Sequence, residues 1–131
     1  MNLASVRAGI TNTLQNINNL RIYEWIPSQI SPPAAVVSLG TGQFDSDNLD
    51  GMLVGYGVLV MLTRADDQKG QERLDEFLGQ GTNSIYHVID ANPSLNGACD
   101  SCRVTSWNNP GTFNIGGIEY LGVEVTLEVL G

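Results

Sequence analysis

Positive charge is scarce in this chain. It has six Lys and Arg against fourteen Asp and Glu over 131 residues, a net charge of -8. A surface that grips nucleic-acid phosphates needs clustered Lys and Arg, and six scattered basic residues do not supply one. Histidine is almost absent too, with His87 alone, which leaves metal and triad chemistry short of partners. No apolar run approaches the ~20 residues of a membrane helix. The first residues lack the charged-then-apolar layout of a secretion signal, because Asn2, Thr11, Asn12 and Thr13 dilute them.

Cysteine is equally sparse. The two present form Cys99-Asp100-Ser101-Cys102. Redox CxxC pairs open a helix, whose dipole acidifies the first thiol. Here the pair leads into Arg103-Val104-Thr105-Ser106-Trp107, which alternates like a strand. Residues three apart on a strand point to opposite faces, so a disulfide would need a turn. The expected reading is two incidental thiols near a strand start; the rivals are an enzyme or redox protein using Cys99, Cys102 and His87, and a small cytosolic binding module with a pocket under the helices. His87 itself, set between apolar residues, is expected to face solvent or hydrogen-bond locally.

What the chain does have is a long apolar stretch, Met52 to Leu62, rich in β-branched residues. Neither alternate set is polar, so both faces of that strand are expected to be covered. Val54, Tyr56, Val58, Val60 and Leu62 form the bulky set. Leu53, Gly55, Gly57, Leu59 and Met61 form the other, flat at its glycine end. Gly55, Gly57, Leu59 and Met61 are therefore the candidate subunit-packing strand. Asp66-Asp67 follows as a helix cap, and Leu74, Phe77 and Leu78 fall at helical spacing as far as Gly79.

Upstream, Leu3, Val6, Ile10, Leu14, Ile17 and Leu20 make one helical stripe over residues 3–20. Arg21 to Ile26 reads as a short strand stopped by Pro27, and Ala34 to Leu39 as a second strand after a Pro-rich loop. The segment 40–51 is glycine-rich and acidic. Asp45, Asp47 and Asp50 read as a solvated hairpin loop, since the spacing lacks the glycine and distal Glu of an EF-hand. Downstream, Thr82-Asn83-Ser84 offers a cap for a short helix through Ile85, Val88 and Ile89. A strand is expected over 100–107, a turn at Asn108-Asn109-Pro110-Gly111, and a loop or extended arm over 112–117. The closing strand, 118–130, is expected to bury Leu121, Val123, Val125, Leu127 and Val129 and to wet Tyr120, Glu124, Thr126 and Glu128. The sum is one domain over residues 1–131, an α+β fold: a mostly antiparallel sheet of four to five strands with helices packed on one face.

This layout resembles the tail-terminator, or tail-completion, proteins of long-tailed bacteriophages. The resemblance is carried by the N-terminal helix before Leu20-Arg21-Ile22-Tyr23, the Pro32-Pro33-Ala34-Ala35-Val36-Val37 strand and the long apolar strand. Thr63-Arg64-Ala65-Asp66-Asp67, Gln71-Glu72-Arg73-Leu74-Asp75, Ser84-Ile85 and the closing Tyr120-Leu121 to Glu124-Val125 strand complete it. It implies a homo-oligomeric structural protein of the virion, at the tail or neck, assembled in the host cytoplasm. That protein would be a hexameric ring that caps the tail tube protein and docks the head-completion or neck protein. It would be non-enzymatic, without cofactor or membrane, and DNA would pass through its lumen without specific binding. A head-closure protein of the same virion is the nearest alternative. In such a ring Asp45, Asp47 and Asp50 are candidate lumen-facing carboxylates, since like charge lets a duplex slide.

Overall fold

The computed structural model describes residues 1–44, 51–62, 68–108 and 110–131. Asp45, Asp47 and Asp50, the cap at Asp66-Asp67 and Asn109 lie outside the described residues. In chain order come α1 (Leu3–Leu14), β1 (Arg21–Tyr23), β2 (Ala34–Phe44), β3 (Met52–Leu62), α2 (Gln68–Leu78), α3 (Ile85–Asp90), β4 (Ser101–Trp107), β5 (Gly111–Ile115) and β6 (Ile118–Leu130). The sheet runs β1-β2-β3-β6-β4, with β5 beside the first half of β6. Only β1 and β2 pair parallel. This is the expected α+β sheet, with helices on one face and six strands instead of four to five. The sixth is β5, within the stretch read as a loop or arm. A left-handed glycine pair, Gly116-Gly117, turns it back onto β6 as a hairpin.

Several boundaries also differ from expectation. The first helix stops at Leu14, yet Ile17 and Leu20 still reach the core from the turns that follow. Asn19, at φ 64°, reverses the chain there. β1 ends at Tyr23, and just beyond it the Glu24 carbonyl accepts from the Arg7 guanidinium at 2.9 Å. β2 continues past Leu39 through a bulge to Phe44, so the glycine-rich stretch opens as paired strand.

The helices seat as local chemistry dictates. Asn2 caps α1, its side-chain oxygen accepting from the Ser5 amide at 3.0 Å, and Ser84 caps α3 by accepting from the His87 amide. The buried Thr13 hydroxyl donates back to the Gly9 carbonyl at 2.7 Å, which removes the cost of burying it. Gly9 itself lets α1 approach the turn that follows α3. A Cβ there would sit 2.9 Å from Leu95 Cβ and 3.1 Å from its carbonyl oxygen.

The main core lies between the helices and one face of the sheet. Val6, Ile10 and Leu14 of α1, Leu74 and Phe77 of α2, and Ile85 and Ile89 of α3 pack on Val54, Tyr56, Val58, Val60, Val123, Val125, Leu127 and Val129. The opposite face carries a smaller cluster of Ile30, Ala34, Val36, Met61 and Tyr120, lidded by Tyr23, Leu59, Phe113 and Ile115. Tyr120 was expected on a wet face and is buried. The β5 hairpin and the Pro-rich loop fold over that end of β6. The rest of the wet set stays at least partly accessible.

Candidate interaction surfaces

The proposed chemical groups do not come together. Cys102 points into the core from β4, while Cys99 lies just before the strand, its thiol 3.6 Å from the Pro93 carbonyl. Both are free thiols. Burial pushes the Cys102 thiol up to about 12, with a smaller contribution from Cys99, and burial raises Cys99 too, reinforced by the Asp100 carboxylate. This is the reverse of the acidified thiol that exchange chemistry uses. His87 sits exposed on α3. Among the described residues no group of three or more His, Cys, Asp or Glu could hold a metal ion.

The four residues of the candidate packing strand divide along β3. Met61 is fully buried within its own chain, and Leu59 is half-buried at the rim of the same cluster. At Gly57 an added Cβ would lie 3.1–3.3 Å from the Glu124 side chain, so the chain's own carboxylate side chain lies over the glycine. At Gly55 the same Cβ would meet nothing closer than 3.6 Å. The flat end therefore opens onto a hollow of mixed character, lined by Thr41, Gln43, Leu53, Thr126, Leu127 and Glu128. Of these four residues, Gly55 is the one with space above it among the described residues.

Apolar side chains are exposed mainly along the two outer sides of the sheet. On the β1–β2 side stand Trp25 (64% exposed), Ile26, Leu39 and Phe44 (83%). On the β4 side Trp107 is half-exposed, and Tyr86 of α3 stands exposed nearby. A groove of about 330 Å³ runs there between β4 and the two helices, lined by Phe77, Ile85, Tyr86, Val104 and Trp107 among others. Isolated exposed apolar residues are ordinary on a monomer, but aromatic residues gathered at a groove are enriched at protein interfaces.

Arg7 organises the first of these sides and was not singled out in the sequence. One guanidinium nitrogen donates to Glu24 O at 2.9 Å and to Val37 O at 2.8 Å, and the group lies 4.4 Å from the centroid of the Trp25 ring. It thereby satisfies the β2 carbonyl just beyond the end of β1. The available signal was a lone Arg beside the apolar stripe, next to Val6 and between Leu3 and Ile10. The groove residues Phe77, Ile85, Val104 and Trp107 were read within their own elements, but nothing in the sequence brought them together, because they come from α2, α3 and β4.

Compared with models of known families and with curated proteins, the sequence finds no match. Among the described residues no helix is long and apolar enough to cross a membrane.

Proposed function

We propose that this chain is a structural ring subunit of a long-tailed phage virion, a tail terminator that caps the tail tube and receives the neck. One observation carries most weight: among the described residues the sheet is open along both sides, and both open sides carry exposed apolar residues. A subunit with two different sticky sides joins head to tail, which closes into a ring when the rotation per step allows it. The element order, with a helix before the sheet and two more on the same face, agrees with the resemblance noted above. On this reading the chain is not an enzyme, and the thiols and His87 have no chemical task. The acidic segment at Asp45, Asp47 and Asp50 and the net charge of -8 would set a repulsive field along a DNA channel. A head-closure ring of the same virion is the second reading, since it needs the same open-sided subunit.

Size-exclusion chromatography with light scattering tests the assembly, alone and with purified tail tubes. The expected species is six chains that co-elute with tube ends. A chain that stays monomeric at every concentration and ignores the tubes contradicts the proposal. Binding to head connectors and not to tubes would select the second reading.

A further inference from the structure

The two open sides match in height, direction and face. β1 covers β2 only at Ala34, Ala35 and Val36, and the Arg7 guanidinium takes the next carbonyl, Val37 O. From Ser38 to Phe44 the outer side of β2 has no strand beside it among the described residues. Across the sheet, among the described residues β4 pairs with β6 alone, which leaves its outer side from Ser101 to Trp107 without a strand. The pairing registers place these stretches in the same rows. Leu39 lies across from Tyr56, Tyr56 from Leu127, and Leu127 from Val104. Gly42, Val54, Val129 and Cys102 form another such row. The free part of one edge thus stands level with the free part of the other.

Direction agrees as well. Each step from β2 to β3 to β6 to β4 is antiparallel, so β4 runs opposite to β2. If a second copy is set beside the first with its helices on the same side, its β2 meets the first copy's β4 antiparallel, continuing the sheet without a flip. Faces agree too. Leu39 shares the helix side with its row partner Tyr56, and so do Val104 and Trp107 with Leu127 and Val125. The groove beside β4 opens on that side. Trp25 is held there by Arg7 at the height of Val37, which is the row of Val58, Val125 and Trp107. Neither open stretch carries the Pro or Lys with which sheet edges are usually guarded, and the single charge on them, Arg103, is paired to Glu128 at 3.0 Å.

From this juxtaposition we infer that the occupant of the β4 edge is a second copy of this chain. Its β2 stretch 38–44 adds antiparallel to β4, and Leu39 and Trp25 enter the groove lined by Phe77, Ile85, Tyr86, Val104 and Trp107. This deepens the ring proposal and rests only on self-association, not on any role in a virion. The joint is heterologous: each copy uses β2 toward one neighbour and β4 toward the other. Adding a strand satisfies backbone groups on both edges, and the groove supplies the apolar contact.

The joint is tested with two surface variants, Leu39→Asp and Trp107→Asp, each put through light scattering after circular dichroism has matched its fold to the parent. Leu39→Asp and Thr, and Trp107→Asp and Thr, form a graded pair, the threonines keeping strand propensity should an aspartate unfold the chain. Each variant alone is expected to be monomeric. Mixed in equal amounts they are expected to form a one-to-one dimer and nothing larger, because one chain retains a sound β2 edge and the other a sound β4 edge. A variant that assembles like the parent, or a mixture that stays monomeric while the parent assembles, overturns the inference. A self-associating dimer of either variant alone overturns it as well, since that requires β4–β4 or β2–β2 pairing. A parent that never assembles sinks both the joint and the ring; a parent ring with unaffected variants sinks the joint alone.

Discussion

The two faces of this sheet are built from the same strands and are held in different ways. On the helix face three helices close over a continuous apolar layer. On the other face, among the described residues, a short hairpin and a Pro-rich loop close over one end, and the Gly55 end opens onto a hollow of mixed polar and apolar lining. The alternation of β3 makes the contrast sharp: Val58 and Val60 face helices, while Leu59 and Met61 face the lid. Apolar character on both sides of a strand therefore does not mean equal cover on both. One side stabilises the domain, and the other is closed only where the chain can fold back over it.

The largest effect should come from the helix face. Leu127→Ala, at a fully buried site, is expected to cost about 3–4 kcal/mol in urea unfolding, as cavities in a rigid core do. A loss near 1 kcal/mol would mean that this layer is loosely packed. On the lidded face, Met61→Ala is expected to cost less, about 2 kcal/mol, because Leu59, Phe113 and Ile115 are only half-buried and can settle into the space. Equal losses at the two sites would erase the distinction between the faces. Gly57→Ala tests the open end. The neighbour there is the end of the flexible Glu124 side chain, which can move, so the cost should stay below about 1 kcal/mol. A larger loss would mean that Glu124 is fixed in place. A bulkier Val at Gly57 should disturb packing more.

Cys102 gives the comparison a pH signature. Its thiol sits in the helix-face core with its pKa raised from 9.0 to about 12, so the folded chain holds the proton after the unfolded chain releases it. The sign follows: stability is full below pH 9 and falls as pH rises toward 12. Cys102→Ala should flatten that alkaline decline relative to the parent, and Cys99→Ala should flatten it less. An unchanged slope in Cys102→Ala would mean that the thiol is solvated. The smallest effect belongs to Arg103→Ala, which breaks an exposed ion pair with Glu128 and should shift stability by no more than about 0.5 kcal/mol.

How much of this was legible depended on range. Periodicity within one element placed α1, α3 and β6 and the inward set of β3, because a single face repeats along each. The cover on the second face was not legible, since Tyr120 is buried partly by Ile30 of the distant Pro-rich loop, and its hairpin partner β5 lies in a stretch whose sequence reads as a loop or arm. The contact of Arg7 with the Glu24 carbonyl, just past the end of β1, joins groups distant in sequence and was not legible either. The candidate surface was legible only in its materials: the apolar strand and Trp107 could be read, but the groove beside Trp107 needs α2, α3 and β4 together. The matched heights of the two edges follow from strand registers, which local sequence does not state.

The joining of edges can be watched directly by amide hydrogen exchange of the parent chain as its concentration is raised. Protection should appear together in two stretches, 38–44 of β2 and 101–107 of β4, while β1 stays unchanged. If both stretches exchange at the same rate at every concentration, or if β1 gains protection instead, the chain does not join through these edges.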